Sequence, residues 1–406
     1  MDTGFPACLV IVAALLGLFA CQYRADMRRR ARLFKVILVN GTRGKSSTTR
    51  LIAAGLRAGK TGPVLGKTTG SSARWLLPAG TDKAIERRGP ANIREMAAGL
   101  ALAETLGAAV YVAECMAIRP EYQAIVKRWM RADVTVMTNI RPDHEDVLGQ
   151  GRLAVAKGLA ASLPASQSAG LSASGVLVAF PETMALLDEV CAFPRERVIL
   201  AEPDLGREWL PLFADPVVLE NLALALTVCS HLGVPLEDAA RAMAAAATDP
   251  GSLEVLSGFA GGKKVNFVGA FAANDPESTL LLAGQYPAAP GSMKVLWFHA
   301  RADRRQRTEA LCAALRNLDF DCVIVSGDAD FAAAQWPGAQ MPGVQISGAP
   351  LRHGLFRLPL REETELEAVL ARLPGNGIWL LGAGNAKGLK PQRLGEDTVC
   401  RRLSSA

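Results

Sequence analysis

The sequence predicts an α/β protein of two domains that follow one apolar amino-terminal segment. Short apolar runs rich in β-branched residues alternate with helical patterns along most of the chain. A glycine-containing turn joins the first of these runs directly to a helix. With 406 residues, 50% of them hydrophobic, the chain is long enough to bury a sizeable core in each domain.

The apolar amino-terminal segment is predicted to be a membrane anchor. Phe5–Cys21 carries no charge and is slightly shorter than the roughly 20 residues that usually span a bilayer. Arginines follow it from Arg24 onward and only Asp2 precedes it, which is the reverse of a secretory signal. By the positive-inside rule, residues 1–24 form a single-pass anchor in the cytoplasmic (inner) membrane, and the later domains face the cytoplasm. The alternative is a buried helix of a soluble protein.

The first domain, residues 34–250, is predicted to contain a mostly parallel sheet with helices on both faces. Phe34–Asn40 is an apolar, β-branched run that ends at a glycine, and a helical pattern begins at Ser46. Pro164–Gly175 is small, polar and contains glycine, which indicates a surface loop. The other predicted elements are strands at Ala109–Ala113, Val134–Thr138 and Gly175–Ala179, and helices at Ile93–Leu106 and Pro120–Arg131.

A second α/β domain, residues 251–406, is predicted to follow a break at Asp249–Gly251, where an alanine-rich helix stops. Strand patterns then return, with the same alternation of strands and helices as in the first domain. The predicted strands are Lys264–Gly269, Met293–Phe298, Asp321–Ser326 and Gly377–Leu381.

Composition excludes two classes of protein. The net charge is +6, but the basic residues are scattered apart from Arg24–Lys35 and Arg301–Arg307, and aromatic residues make up only 6%, so we expect no nucleic-acid partner. The eight cysteines form no CxxC pair, and Cys115 and Cys322 lie in apolar runs that resemble strands. We therefore expect neither a zinc site nor a disulfide framework.

The most informative segment is Val39–Arg50, VNGTRGKSSTTR, which lies between a predicted strand and a predicted helix. Gly41 and Gly44 free backbone amides for an anion, Lys45 adds a positive charge, and Ser46 is placed to coordinate Mg2+. The strict P-loop pattern requires glycine where this chain has Val39. The alternative is a glycine turn that happens to carry a lysine.

The motif GTRGKS (Gly41–Ser46) resembles the ATP loop shared by Mur ligases and folylpolyglutamate synthases. The longer NGTRGKSSTTR is similar to the version in ligase subunits of bacterial poly-γ-glutamate synthases, and the likeness covers nearly all of Val36–Asn385. The other motifs, in the order that this family has, are GKTTGSSAR (Gly66–Arg74), GPANIRE (Gly89–Glu95), AECMAIRPEYQ (Ala113–Gln123), TNIRPDHEDVLG (Thr138–Gly149), DPG (Asp249–Gly251), FVGAFAANDPEST (Phe267–Thr279), RADRRQRT (Arg301–Thr308) and GAGN (Gly382–Asn385).

Two further candidates follow predicted strands. Glu114 comes after AVYVA, and His144 follows VTVMT through a short loop that carries Asn139 and Asp143. Both should emerge at the carboxyl edge of the sheet, where open α/β folds bind ligands. The resemblance to Mur ligases implies that Glu114 and His144 hold a second Mg2+, beside the one at Ser46. The alternatives are a carboxylate that caps a helix and a hydrogen-bonded loop histidine.

The resemblance also implies an ATP site that involves both domains. Asn221 resembles the asparagine that contacts adenine in Mur ligases, although an asparagine on a helix is often only solvated. Arg301, or alternatively Arg304, is expected to neutralise the transferred phosphoryl, unless it belongs to an exposed basic turn. The predicted catalytic residues are Lys45, Glu114, His144 and Arg301, and the predicted ATP-binding residues are Gly41, Thr42, Arg43, Gly44, Lys45, Ser46, Ser47, Asn221, Asn274 and Asp303.

By this resemblance, the protein is an ATP- and Mg2+-dependent amide ligase that polymerises glutamate through γ-linkages by way of an acyl phosphate. The expected partners are glutamate, the growing poly-γ-glutamate chain, the membrane and small membrane-embedded synthase or export subunits. The alternatives are a related ligase that acts on a small-molecule acceptor such as a folate, a membrane-tethered P-loop ATPase or kinase, and a non-catalytic assembly subunit.

The chain departs from the wider Mur group at two places. Many Mur ligases carry a carbamylated lysine after the metal-binding histidine, whereas this chain has Leu159 at that distance and Lys157 out of register. Mur ligases also tend to have an arginine where their last domain begins, and here residues 242–262 contain no basic residue. Gly269 and Ala270 stand where those enzymes have an aspartate. Nucleotide contacts from the second domain therefore rest on the resemblance alone.

Overall fold

The computed structural model describes residues 4–69, 73–87, 89, 91–164, 175–213, 217–246, 254–260, 262–273, 275–301, 305–336, 354–357, 363–384 and 401–402. The chain divides into two compact units, Met1–Leu212 with Leu219–Asp249, and Phe213–Val218 with Pro250–Ala406. Several predictions concern residues outside the described ranges, namely the interior of the loop Pro164–Gly175, the break at Asp249–Gly251, Asn274, Asp303, Arg304 and Asn385.

The apolar amino-terminal segment belongs to a single helix, α1 (Gly4–Arg32). In the described part of the chain, it is the one helix that is long and apolar enough to cross a membrane, judged by length and composition alone. Its large apolar side chains from Leu9 to Phe19 are exposed. The helix continues past Arg24, where the sequence predicts the anchor to end, almost to strand β1 (Lys35–Asn40).

The first unit is built on an eight-stranded sheet. Its strands are β1, β2 (Val64–Thr68), β3 (Arg74–Leu76), β4 (Asp82–Ala84), β5 (Val110–Glu114), β6 (Val134–Met137), β7 (Val176–Ala179) and β8 (Val198–Leu200). Their order across the sheet is β4-β3-β2-β5-β1-β6-β7-β8. All neighbours pair in parallel except β3, which pairs antiparallel with both β2 and β4. The carboxyl ends of the parallel strands therefore share one edge, which we call the carboxyl edge.

Helices cover this sheet and bury apolar side chains. Helix α2 (Lys45–Arg57) packs against α8 (Leu219–His231) and α9 (Leu236–Ala244). Gly55 lets α2 approach α9 closely, since a Cβ there would lie 2.5 Å from the Met243 methyl group. The remaining helices of this unit are α3 (Arg94–Thr105), α4 (Pro120–Met130), α5 (Glu145–Leu148), α6 (Gly151–Ala160) and α7 (Pro181–Asp188).

The second unit contains a seven-stranded sheet. Its strands are β9 (Glu254–Ala260), β10 (Lys263–Gly269), β11 (Met293–Ala300), β12 (Cys322–Gly327), β13 (Gly354–Arg357), β14 (Gly377–Gly384) and β15 (Arg401–Arg402). Their order across the sheet is β13-β12-β11-β14-β10-β9-β15. Strands β10 to β14 pair in parallel, and β9 pairs antiparallel with β10 and β15. Buried apolar clusters occupy this unit around Phe298 and around Phe267. Its helices are α10 (Pro276–Gln285), α11 (Arg305–Leu315), α12 (Ala329–Ala334) and α13 (Glu363–Arg372).

The predicted fold class is confirmed, since each unit is an α/β structure with a mostly parallel sheet. The predicted elements occur with small shifts at their ends. One shift matters for function: Glu114 is the last residue of β5, and the strand register pairs it with Val39 of β1. It therefore lies beside the end of β1, from which the glycine-containing loop starts.

Candidate active site

The phosphate loop, Gly41–Gly44, connects the carboxyl end of β1 to the first residue of α2. Both of its glycines have positive φ angles, 125° at Gly41 and 78° at Gly44. A Cβ on Gly41 would lie 2.2 Å from Thr138 Oγ1, and a Cβ on Gly44 would lie 2.2 Å from Asn221 Oδ1. Both positions require glycine, because any side chain would strain the backbone and have no space.

The segment that follows β6 holds this loop in shape. Asn139 Oδ1 accepts hydrogen bonds from Thr42 Oγ1 at 2.7 Å and from the Arg43 amide at 3.0 Å. The hydroxyl of Thr138 donates to the carbonyl of Arg43 at 2.6 Å. The Arg43 side chain forms an ion pair with Asp143, with 3.3 Å between Arg43 Nη2 and Asp143 Oδ1. Backbone and side chains of the loop are thus both fixed by one neighbouring segment.

The start of α2 offers an anion site. No side chain caps the helix at Gly44, so the amides of its first turn are available to a ligand, at the positive end of the helix dipole. Lys45 Nζ donates to the carbonyls of Gly41, at 2.7 Å, and Thr42, at 3.1 Å, and so lies over the loop. Burial lowers the pKa of Lys45, and the nearby Glu114 carboxylate opposes that shift. A phosphate here would meet amide donors and a lysine charge.

Glu114 is almost completely buried at the end of β5. Its Oε2 accepts hydrogen bonds from Ser46 Oγ at 2.8 Å and from the Thr69 amide at 2.6 Å. The structure therefore brings together the predicted residues Lys45, Ser46 and Glu114 at the carboxyl edge. The contact with Thr69, which follows β2, was not predicted from the sequence.

The donor set of this pair suits Mg2+, which prefers oxygen ligands and retains water. Two oxygens that bind one Mg2+ at about 2.1 Å in adjacent octahedral positions lie about 3.0 Å apart. Ser46 Oγ and Glu114 Oε2 are already 2.8 Å apart. Among the described residues, no three His, Cys, Asp or Glu side chains form a group that could hold a metal. An ion at this point would complete its coordination with water and phosphate oxygens, as Mg2+ does at nucleotide sites.

His144 lies at the amino terminus of α5 with a positive φ of 51°, and its side chain is 45% exposed. Its Nε2 is 3.7 Å from Asp143 Oδ2, the carboxylate that also pairs with Arg43. The contact that the structure gives His144 is therefore with the segment that holds the phosphate loop. Its role as a metal ligand together with Glu114 stays a prediction.

Asn221 is buried on α8 and approaches Gly44 closely. The preceding residue, Glu220, pairs with Arg141 at 3.1 Å, and the Arg141 amide donates to Thr42 Oγ1 at 3.0 Å. These bonds connect α8 with the phosphate loop. The structure thus places Asn221 at the phosphate loop, and its contact with adenine stays a prediction.

Sequence reasoning missed a charge cluster around the buried Lys67, beside Glu114. Lys67, in β2, is fully buried, and its Nζ lies 3.2 Å from Glu95 Oε2 and 6.0 Å from the centroid of the Trp75 ring. Arg87 Nε also pairs with Glu95, at 2.7 Å. Burial lowers the pKa of Lys67, and the Glu95 carboxylate opposes that shift. A lysine in an otherwise apolar strand was the signal that points to this cluster.

In the second unit, Arg301 follows the carboxyl end of β11. The neighbouring His299 is buried, and its Nδ1 lies 3.0 Å from Ser326 Oγ. Burial, and then the Arg301 charge, lower the pKa of His299. The predicted role of Arg301 at the phosphoryl group stays a prediction.

The structure shows what surrounds Leu159, the residue at the distance where many Mur ligases carry a carbamylated lysine. Leu159 is buried in the apolar cluster between α6 and β7, whereas Lys157 on the same helix is exposed. A lysine side chain at position 159 would have to enter this apolar layer, at a cost in desolvation.

We expect Gly44→Ala to impair nucleotide binding. A left-handed backbone costs a non-glycine residue about 1–2 kcal/mol, and the new methyl group would displace Asn221. We therefore expect KM for ATP to rise about tenfold or more. Gly80→Ala is the matched control, because Gly80 has a similar φ of 86° but an added Cβ would meet nothing within 4 Å. Equal effects of both substitutions on KM, measured by ADP release, would show that the close approach of Asn221 is unimportant.

Comparison with known proteins supports the resemblance found from the motifs. A family model for the C-terminal domain of poly-gamma-glutamate synthase CapB matches residues 256–394. Capsule biosynthesis protein CapB of Bacillus anthracis is 36% identical over 285 residues, which are 67% of this chain and 58% of that protein. PGA synthase CapB of Bacillus subtilis (strain 168) is 30% identical over 315 residues, which are 74% of this chain and 76% of that protein. The match thus spans less than two thirds of the Bacillus anthracis relative.

Solved structures of ligases share this fold. MurF from Acinetobacter baumannii superposes with a TM-score of 0.57 at 16% identity, covering 90% of this chain and 77% of that one. A bifunctional folylpolyglutamate synthase/dihydrofolate synthase from Yersinia pestis, complexed with AMPPNP and Mn ion, gives a TM-score of 0.56 at 17% identity and covers 90% of both chains. This chain therefore belongs to the poly-gamma-glutamate synthase CapB family, and its fold is that of the Mur and folylpolyglutamate ligases.

Proposed function

We propose that this protein is an ATP-dependent ligase that forms C–N bonds between glutamate residues. It would join the γ-carboxyl group of glutamate, or of a growing poly-γ-glutamate chain, to the α-amino group of glutamate. The observation that carries this proposal is the convergence of Lys45, Ser46 and Glu114 at a phosphate loop, in a member of the CapB family. The protein would act with membrane-embedded synthase or export subunits.

The reaction requires activation, because a free carboxylate does not form an amide with an amine. One carboxylate oxygen forms a bond to the γ-phosphorus of ATP while the bond to the bridging oxygen breaks, which releases ADP and leaves an acyl phosphate. The amine nitrogen then forms a C–N bond to the acyl carbon, and the bond from that carbon to the bridging oxygen breaks. Phosphate leaves with this oxygen, and the amine gives up a proton to solvent. Protection from water matters because water would hydrolyse the acyl phosphate.

The residues of the phosphate loop and its surroundings have separable tasks. The amides at the start of α2 and the ammonium group of Lys45 bind and orient the phosphates, and Asn139 keeps the loop in the shape that this binding needs. Ser46 and Glu114 would hold Mg2+, which supplies charge neutralisation at the phosphoryl oxygens when bound. Arg301 from the second unit would add positive charge to the same group.

The first experiment measures ADP release by the full-length protein, in membranes that contain its partner subunits, with ATP and Mg2+ and with or without glutamate. We expect glutamate to raise ADP release about tenfold or more, because a ligase site protects its phosphoryl donor from water. An amide-linked glutamate polymer should accumulate in parallel. An equal rate of ADP release with and without glutamate would instead support a membrane-tethered ATPase. Activity that requires another amine or carboxylate would support a related ligase with a small-molecule acceptor.

A further inference from the structure

The carboxyl-terminal turns of α1 are bonded to the rest of the first unit, which is the ATP-binding unit of the proposed function. Arg30 donates through Nε to the Met130 carbonyl at 2.7 Å and through Nη2 to Asp133 Oδ2 at 2.6 Å. Arg29 Nε pairs with Glu104 Oε2 at 3.0 Å. Met130 ends α4, Asp133 immediately precedes β6, and Glu104 lies near the end of α3. These partners therefore all lie at the amino edge of the sheet, opposite the phosphate loop.

The middle of α1 lies at the other edge. The Arg94 guanidinium stands 5.8 Å from the centroid of the Phe19 ring. Arg94 is the first residue of α3, and the next residue, Glu95, pairs with Lys67 near the carboxyl end of β2. Phe19 is therefore level with the carboxyl edge. Helix α1 runs beside α3 in the same direction, from the carboxyl edge at Phe19 to the amino edge at Arg30.

It follows that the residues before Phe19 project beyond the carboxyl edge. At 1.5 Å per residue, Gly4–Leu18 extends about 22 Å past it. Four consecutive side chains, from Leu9 to Val12, are 52–68% exposed, and successive residues of a helix point about 100° apart. The projecting segment is thus apolar on every side. A protein groove would match one stripe of a helix, whereas lipid chains match a helix that is apolar all round.

We propose that the carboxyl edge of the ATP-binding unit, with the phosphate loop and Glu114, faces the lipid bilayer in which the projecting half of α1 is embedded. The occupant of the exposed apolar surface is the hydrocarbon core. Tyr23 and Arg24, both exposed, follow about one helical turn after Phe19, and lipid headgroups accept aromatic and basic side chains of this kind. This inference rests on the proposed membrane attachment, and it deepens the proposed function: the acceptor chain meets the ligase site, and leaves it, next to the membrane surface.

The test compares two exposed positions at opposite ends of β5. Ile118, at the carboxyl edge, is 36% exposed, and Leu106, at the amino edge, is 38% exposed. In each of two variants, one of these residues is replaced by azido-phenylalanine, and a fluorophore is attached to the azide. The full-length labelled protein is then placed in phosphatidylcholine vesicles whose headgroups carry nitroxide labels. Because the strand separates the two labels by about 20 Å, and nitroxide quenching is short-ranged, we expect quenching at position 118 to exceed that at position 106 about threefold or more.

Equal quenching at the two positions, or stronger quenching at position 106, would overturn the proposed orientation. Absence of the protein from the vesicles would overturn both the attachment and the orientation. Glutamate-dependent ADP release is measured on the same labelled proteins, neither of which is altered in the phosphate site. If that activity fails while position 118 is selectively quenched, the ligase proposal falls and the orientation stands. If glutamate-dependent ADP release persists without selective quenching at position 118, the proposed orientation falls and the ligase proposal stands.

Discussion

Replacement of Lys45 by alanine should reduce glutamate-dependent ADP formation about 100-fold or more, because it removes the ammonium group that lies over the phosphate loop. The charge that spreads over the phosphoryl oxygens during transfer would then have to be stabilised by amides and metal alone. The loss should appear mainly in kcat, since the amides at the start of α2 still bind the phosphates. Steady-state rates at several ATP concentrations measure this effect.

Lys60→Ala is the matched control for this substitution. Lys60 lies just beyond the other end of α2, roughly 20 Å from Lys45 along the helix axis, and its side chain is exposed. Both variants change the net charge equally, so general electrostatics cannot explain a difference between them. Retention of a tenth or more of the wild-type rate by Lys45→Ala would contradict the assignment of the phosphate loop.

The strand, loop and helix around Lys45 could be predicted because three local signals agree. An apolar β-branched run is followed by glycines that permit positive φ angles, and then by a residue pattern with helical period. The antiparallel extension of the sheet gave no such signal. Strands β3 and β4 have only three residues each, too few to show alternation, and their structure depends on pairing with β2 and with each other.

The candidate site was predictable where strand order decides it. Glu114 and the phosphate loop come from neighbouring parallel strands, and such strands end at one edge of a sheet. The supporting contacts were not predictable, because they depend on side chains that meet only after folding. Asn139 bonds the loop across 97 residues of sequence, and Lys67 finds Glu95 only when α3 packs beside β2.

For helix α1 too, the local sequence pattern predicted the element, whereas its contacts with the rest of the unit could not be predicted. Its apolar run identified a membrane-spanning candidate, and the arginines after it were interpreted as the charged flank of a span. In the structure, Arg29, Arg30 and Arg32 also pair with Glu104 and Asp133 of the first unit. These arginines therefore fix the direction in which the apolar part of α1 leaves the unit, a role that charge counting does not reveal.

Glu114→Gln should separate the metal-binding role of this carboxylate from its structural role. Both Ser46 Oγ and the Thr69 amide donate to the same atom, Oε2, so the single carbonyl oxygen of glutamine can accept both bonds. The fold should therefore survive, while the negative charge that attracts Mg2+ is lost. We expect the Mg2+ concentration for half-maximal activity to rise about 10- to 100-fold, and kcat at saturating Mg2+ to fall about 100-fold. Magnesium titrations of ADP release measure both effects, and thermal unfolding checks the fold.

Glu121→Gln provides the comparison, because Glu121 is an exposed carboxylate in the first turn of α4, at the same edge of the sheet. Its loss makes the same change in net charge without touching Ser46, so its Mg2+ dependence should match that of the wild type. If Glu114→Gln also kept the wild-type Mg2+ dependence, the carboxylate would serve only to join β2, β5 and α2. The 2.8 Å separation of Ser46 Oγ and Glu114 Oε2 would then be an ordinary hydrogen bond rather than the frame of a metal site.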